Sequence, residues 1–174
     1  METWNGFRVV GAVEDDTDTD NDFTKDGELV PTLKKMLAEA YVLYHTIHGF
    51  HWNVEGSDFY EYHKLFDEIV SDIYENIDPI AESIKKLGEK APFSMSQLVS
   101  ISSIKDTDLE SNNTKELSKK FLGMNEEYID HIKKAFRVAN DADEQGIANF
   151  IAERLDAMAK HAWMLRSFLK ENRA

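Results

Sequence analysis

The sequence predicts an all-α fold, a bundle of four long helices with one long crossover between the second and the third. Three observations lead to this prediction. The 174 residues include only 8 glycines and 3 prolines, so long stretches lack the residues that interrupt helices. In those stretches apolar side chains recur with the helical period. A long connection over residues 89–113, with Pro92 near its start and Ser-, Asn- and Asp-rich residues near its end, separates the second and third periodic segments, and it is long enough to cross a bundle from end to end.

Residues 1–27 differ in composition from the rest of the chain. They carry eight acidic and two basic residues, a net charge of −6. Such a segment is typical of disorder, so we predict a disordered acidic tail followed by one domain over residues 28–174. The tail would repel nucleic-acid phosphates, and the whole chain has a formal charge of −13. We therefore expect no DNA binding through this tail.

Composition also restricts the kinds of site and the location that the chain can have. With no cysteine, a metal ion would have to be held by nitrogen and oxygen ligands. The first thirteen residues lack the basic and then apolar pattern of a signal peptide, and no apolar stretch reaches 18 residues. We therefore expect a cytoplasmic protein that is not embedded in a membrane.

The first long helix is predicted over residues 30–53. Its apolar residues follow the helical period and are expected to face the core: Leu33, Leu37, Ala40, Val42, Leu43 and Ile47. Histidines recur every three residues near its end, at His45, His48 and His51. This spacing makes them drift around the helix instead of stacking. We interpret His45 and His48 as surface or interface side chains.

The second long helix, predicted from residue 57 to about residue 87, carries the most informative pattern. Its apolar residues form one broad arc: Phe59, Tyr62, Phe66, Ile69, Val70, Ile73, Ile77, Ile80, Ile84 and Leu87. Along one edge of that arc run His63, Asp67, Asp78 and Glu82, at about 0°, 40°, 60° and 100° around the helix. The outer face is assigned to other acidic residues: Glu61, Glu68, Asp72 and Glu75.

The axial spacing of these four side chains decides how they could bind a metal. Asp67 and Asp78 are eleven residues apart, roughly 16 Å along a helix, whereas a metal–ligand bond spans only about 2 Å. One helix therefore cannot bring both pairs to one ion. Two copies lying antiparallel about a two-fold axis would join the His63/Asp67 end of one to the Asp78/Glu82 end of the other, making two identical sites. The alternative is that these carboxylates form a solvated acidic face.

The remaining elements complete the bundle. Residues 94–100 are predicted to form a short helix within the crossover. The third long helix is expected over residues 113–140, with Glu116 placed for capping, and the fourth from after residue 143 to about residue 171. The fourth helix has its own apolar stripe: Ile147, Phe150, Ile151, Leu155, Met158, Ala162, Leu165 and Leu169. Asp141, Asp143 and Glu144 crowd its start, where negative charge complements the helix dipole.

Two separated motifs resemble a known family. The first is His51-Trp52-Asn53-Val54-Glu55-Gly56, followed by His63, Asp67 and the run Asp78-Pro79-Ile80-Ala81-Glu82. The second is Lys160-His161-Ala162-Trp163-Met164-Leu165-Arg166-Ser167. Together they are similar to the Dps family of mini-ferritins, the DNA-binding proteins from starved cells, over about residues 28–170. One departure is Ser83, where the family often has arginine.

The resemblance implies a ferritin-like four-helix subunit and a hollow homo-oligomeric shell of twelve subunits. It implies an intersubunit ferroxidase site for iron, with hydrogen peroxide as the preferred oxidant and ferric mineral stored in the shell. His51, His63 and Asp67 of one subunit and Asp78 and Glu82 of its partner would bind the iron. Trp52 would lie beside the site and guard it against stray oxidising equivalents, the alternative being that it is only an interface aromatic. The acidic residues 141, 143 and 144 would line a three-fold pore for Fe²⁺.

Two other classes of function compete with this interpretation. A conventional di-iron bundle uses paired Glu-x-x-His motifs, and no histidine here is preceded by glutamate at that spacing. A shell-forming or DNA-compacting stress protein without redox activity remains the alternative hypothesis. The charge of the tail disfavours its DNA-compacting form.

Overall fold

Five helices account for the structure, a computed structural model that describes residues 27–170. They are α1 (Leu29–Asn53), α2 (Phe59–Lys86), α3 (Met95–Ile101), α4 (Thr114–Asp141) and α5 (Gln145–Leu169). Between residues 27 and 170 there is no β-strand, only an isolated bridge between Glu55 and Asn113. The predicted all-α fold with its long crossover is confirmed. The predicted disorder of the acidic tail lies outside the described residues, apart from residue 27.

α1 and α2 form an antiparallel hairpin around most of the predicted core. All six predicted core residues of α1 are buried. The predicted arc of α2 is buried from Tyr62 to Ile84, and Leu87 packs partly buried at its end. The prediction for Phe59 is wrong, because its side chain is 43% exposed. Phe59 is the first residue of α2, and its ring stacks on His63 with centroids 4.9 Å apart instead of entering the core.

A proline and a serine occupy the second half of α2. Pro79 lies inside the helix and has no N–H to donate to the preceding turn. The hydroxyl of Ser83 donates to the carbonyl of Pro79 at 2.8 Å. Gly88 ends the helix with a φ of +79°, a conformation that glycine adopts without a steric cost. The predicted end near residue 87 is confirmed.

The crossover runs from the end of α2 to the start of α4 and contains α3. Ser94 caps α3, its hydroxyl accepting from the Gln97 N–H at 3.3 Å, and Leu98 anchors α3 against α1. At the end of the crossover, the Asn113 side chain accepts from the N–H groups of residues 115 and 116. These caps satisfy helix N–H groups that have no partner within the helix, which is why the predicted starts agree with the observed ones.

α5 follows α4 after a tight turn in which Asp143 adopts a φ of 59°. Glu144 is the residue that precedes α5, but its side chain makes no capping hydrogen bond. Asp143 accepts from the side chain of Gln145 at 3.2 Å. Neither side chain caps α5 through a hydrogen bond, so the negative charge expected to complement its dipole is the remaining way in which these acidic residues could stabilise it.

The core lies between the four long helices, with α1 packed against α2 and α4, and α4 against α5. Phe66 of α2 and Phe121 of α4 are its largest fully buried side chains. Several polar side chains share this interior: Glu39, Ser118, Asn125 and His161. Asn125 donates to the carbonyl of Met158 at 2.9 Å, which joins α4 to α5. None of the helices in the described part of the chain has the length and apolar character to cross a membrane.

Candidate metal site

His51 and His63 lie together where the end of α1 meets the start of α2. Their rings stack with centroids 3.9 Å apart and planes 22° from parallel. Nδ1 of His51 lies 3.1 Å from the carbonyl oxygen of His63, and Nδ1 of His63 lies 2.9 Å from the carbonyl oxygen of His51. The two residues therefore hold each other in place through a reciprocal pair of hydrogen bonds.

These hydrogen bonds fix the tautomer of both rings. A carbonyl oxygen only accepts, so Nδ1 of each histidine must carry the proton and donate. In the neutral ring the lone pair is then on Nε2, the nitrogen that a metal ion can bind. Metal-binding histidines typically donate their other ring N–H to a carbonyl or carboxylate in this manner. His51 and His63 are half-buried.

The three predicted carboxylate ligands lie exposed on α2. Asp67 is one turn beyond His63, and Asp78 and Glu82 are three to four turns further along the helix. Among residues 27–170, no three histidine or carboxylate side chains lie together as a metal site requires. A single chain brings His51 and His63 together but does not bring them to Asp78 and Glu82. The full set of five ligands therefore stays a prediction.

An aromatic cluster continues from the histidine pair along α1. The ring of His48 lies 6.0 Å from that of His51 and 4.3 Å from that of Trp52. Tyr44 lies 5.3 Å from His48 and 5.4 Å from Tyr74 of α2. Trp52 is 66% exposed and Tyr74 61% exposed.

Burial and the neighbouring rings affect the protonation of His48. Burial lowers the pKa of His48 below its ordinary value, His51 and His45 lower it further, and Asp67 raises it. Asp67 opposes this lowering through its negative charge. His48 therefore lies next to the histidine pair, and its role at a surface or an interface stays a prediction.

Glu39 is a buried carboxylate that the sequence interpretation missed. Its side chain is fully buried, and one oxygen, Oε1, accepts from the Ser103 hydroxyl at 2.8 Å. Nδ1 of His131 lies 2.9 Å and Nζ of Lys35 lies 3.6 Å from the same oxygen. Glu39 therefore links α1 to α4 and to the crossover. Its position three residues after buried Met36 and four before Leu43 is the signal that could have revealed it.

Asp72 corrects the predicted outer face of α2. It is half-buried and accepts from Arg154 of α5 at 3.1 Å, while Nε2 of His161 lies 3.6 Å from its other oxygen. Its assignment to the solvated outer face is wrong, because it is paired with α5. The other three residues assigned to that face are exposed, as predicted.

This buried group should make the stability of the protein depend on pH. Burial lowers the pKa of His161 below its ordinary value of 6.5, with Lys160 and Arg154 lowering it further and Asp72 opposing them. The unfolded chain then binds a proton at a higher pH than the folded chain, so this contribution is complete above pH 6.5 and is lost as pH falls below it. We expect the free energy of unfolding to decline less between pH 7 and 5 in His161→Gln.

Denaturant unfolding at a series of pH values measures this difference. The matched control is His45→Gln, which removes an exposed imidazole. It should keep the pH dependence of the wild-type protein. Equal slopes for wild type and His161→Gln would contradict the expected role of the buried imidazole.

A family profile and several relatives match the chain. The profile of the ferritin-like domain matches residues 31–174. A protein of Helicobacter pylori named DNA protection during starvation protein is 32% identical over 141 residues, covering 79% of this chain and 95% of the relative. DNA protection during starvation protein 2 of Bacillus anthracis is 29% identical over 144 residues, covering 83% of this chain and 98% of the relative.

Solved structures show the same architecture. The Dps protein of Thermosynechococcus elongatus superposes with a TM-score of 0.83 at 23% identity, covering 87% of this chain and 96% of that one. The Dps protein of Vibrio cholerae superposes with a TM-score of 0.79 at 26% identity, covering 84% and 92%. The latter is described as a member of a broad superfamily of ferritin-like diiron-carboxylate proteins. The predicted ferritin-like fold is confirmed.

Proposed function

Because the chain belongs to the Dps family of ferritin-like proteins, we propose that it is a ferroxidase that oxidises Fe²⁺ and stores the product as ferric mineral in a shell of its own subunits. Iron is the substrate and the stored cargo. The proposed physiological role is protection against oxidative damage.

The reciprocal His51–His63 hydrogen bonds are the observation that carries this proposal. They prepare two Nε2 lone pairs in one chain before any ion arrives, so little ordering is left for binding. Imidazole and carboxylate together suit Fe²⁺, which accepts both nitrogen and oxygen ligands. Asp67 on the same face adds a negative charge that favours the cation and, still more, the Fe³⁺ that forms from it.

The proposal requires a second subunit to complete each site. Asp78 and Glu82 are exposed and lie about 16 Å or more along α2 from the histidine end. An antiparallel partner would bring its own Asp78 and Glu82 to His51, His63 and Asp67, and the two-fold axis would repeat this arrangement. We propose that such dimers assemble further into a closed shell, which for this family would contain twelve subunits.

The proposed reaction pairs two irons with one peroxide. Two Fe²⁺ and one hydrogen peroxide, with two protons, give two Fe³⁺ and two waters. Both electrons reach the peroxide, so no hydroxyl radical is released. The chain contributes the histidine nitrogens and carboxylates that hold the iron, and the exposed indole of Trp52 beside His51 would intercept a radical that escaped.

Anaerobic loading with Fe²⁺ followed by peroxide tests this function. We expect one peroxide to be consumed for every two Fe²⁺, a rise in ferric absorbance, and little hydroxyl radical in a spin trap. Bovine serum albumin with the same iron should release radical instead. Oxidation no faster than in the albumin control would favour the non-redox alternative. A native mass equal to the 20.0 kDa chain would contradict the proposed assembly.

A further inference from the structure

Tyr74 of α2 and Tyr44 of α1 belong to an aromatic series that the iron site does not use. Successive ring centroids lie 6.0 Å apart from His51 to His48, 5.3 Å from His48 to Tyr44, and 5.4 Å from Tyr44 to Tyr74. Trp52 joins the series through its contact with His48, at 4.3 Å. Centroid separations of about 4.5–7 Å are those of interacting aromatic pairs, so each ring of the series interacts with the next.

The position of Tyr74 on α2 places the end of this series close to the proposed two-fold axis. Counted at 100° per residue from His63, Tyr74 lies at about 20°, on the same stripe as the ligands. The proposed pairing joins the His63/Asp67 end to the partner's Asp78/Glu82 end, so its two-fold axis crosses α2 at the level of residues 72 and 73. Tyr74 is then the aromatic residue of this stripe that lies beside the axis.

The distance between the two copies of Tyr74 follows from the same register. Each lies one to two residues from the axis, so the two are offset by roughly 4–5 Å along the helices. Helices that pack closely lie about 8–10 Å apart, which tyrosine rings from both sides can span. Tyr74 is 61% exposed in the single chain, so its ring is available to a partner.

We propose that the His48–Tyr44–Tyr74 series of one subunit meets that of its partner at Tyr74 and so connects the two iron sites of a dimer for electron transfer. This inference rests on the proposed function and deepens it. When peroxide reacts at one site, the second electron comes from Fe²⁺ at the other site through the tyrosines. The overall reaction is the same as before: two Fe²⁺, one peroxide and two protons give two Fe³⁺ and two waters. Each of the two sites supplies one of the two irons.

Cross-linking tests the register without using iron. A photochemically generated ruthenium(III) complex, a one-electron oxidant, removes an electron and a proton from each of two contacting tyrosines, which then form a carbon–carbon bond. We expect a covalent dimer whose dityrosine maps to Tyr74 of both chains by peptide mass spectrometry. The Tyr74→Phe variant keeps the ring but loses the phenol, so it should lose this dimer.

Tyr60 provides the matched control. It lies on the same stripe of α2 and is 66% exposed, but its two copies would lie more than roughly 30 Å apart in the proposed pairing. The Tyr60→Phe variant should therefore form the covalent dimer as wild type does. A cross-link through Tyr60, or no cross-link at Tyr74 in the wild type, would overturn the proposed register.

A second measurement tests electron transfer itself. With one Fe²⁺ per site and limiting peroxide, Tyr44→Phe and Tyr74→Phe should release more hydroxyl radical to a spin trap than wild type or Tyr60→Phe. Unchanged radical yield in both variants would overturn the electron-transfer role even if Tyr74 cross-links. Failure of the wild type to oxidise iron would instead refute the proposed function. The cross-linking experiment would still test the proposed pairing of the subunits, because it does not use iron.

Discussion

Mixing two slow variants is expected to restore peroxide-driven Fe²⁺ oxidation to at most about a quarter of the wild-type rate, because each site takes residues from both members of a two-fold pair. The first variant is His63→Ala, which removes a ligand from the histidine side. The second is the double variant Asp78→Asn, Glu82→Gln, which removes the carboxylates from the other side. Each alone should oxidise iron slowly, and His51→Ala should behave like His63→Ala.

The recovery follows from how the defects distribute in mixed dimers. If the variants pair at random, half of the dimers are mixed. In each mixed dimer one site receives both defects and the other receives neither, so one site in four is intact. Co-expression of the two variants with different tags, purification of particles carrying both, and stopped-flow measurement of Fe³⁺ absorbance would provide the comparison.

His45→Ala is the control for the loss of a histidine from this part of the chain, since His45 is exposed on α1 and outside the proposed site. It should oxidise iron at the wild-type rate, and it should do so without a mixing partner. Mixed particles no faster than the separate variants would mean that each site is built within one chain. Wild-type rates in His51→Ala and His63→Ala would remove these residues from the site altogether.

Phe66→Ala is expected to lower the free energy of unfolding by about 3–5 kcal/mol, the range for truncating a fully buried phenylalanine. Phe66 has no exposed surface and lies at the centre of the buried arc of α2. The loss combines the transfer free energy of the ring with the cavity that the surrounding helices cannot close. Chemical denaturation at a fixed protein concentration is the measurement, because the stability of an oligomer depends on concentration.

Phe93→Ala makes the same chemical change at a side chain that is 87% exposed. The expected loss of stability there is below about 0.5 kcal/mol, as for a surface substitution. Similar losses in the two variants would show that the buried face of α2 does not carry the stability assigned to it. The comparison does not depend on iron, so it tests the fold separately from the function.

Helix boundaries were predictable where the chain uses residues with strong local preferences. Asn113 starts α4 through hydrogen bonds to the next N–H groups, and Gly88 ends α2 with a positive φ. Ser94 caps the short α3 in the crossover. These choices are local, so they can be read without knowledge of the partners in the fold.

Contacts between residues far apart in the sequence determine the positions of side chains that the hydrophobic pattern could not predict. Asp72 lies at the edge of the buried arc, and only its contact with Arg154, 82 residues later, separates it from a solvated carboxylate. Glu39 occupies a core position whose partners come from two other segments. Phe59 has the helical period of a core residue, but it lies in the first turn of α2, where it stacks on His63.

The sequence indicated which residue types and spacings to consider for the candidate site, but it could not indicate the hydrogen bonds between His51 and His63. The twelve-residue separation of His51 and His63 allows many arrangements around the intervening turn. The reciprocal bonds between each ring and the opposite backbone appear only when both helices are in place. Whether Asp78 and Glu82 complete the site depends on a second chain, which remains a prediction.

The reciprocal histidine pair is complete within a single chain, whereas the carboxylates that would complete its site lie several turns away on α2. Under the proposed pairing, a newly synthesised subunit could not start to form ferric mineral before it meets a second subunit, because its own site would be incomplete. The onset of mineral growth would be timed by the concentration at which subunits find one another. Subunits synthesised in iron-rich conditions would then assemble before ferric mineral forms on them.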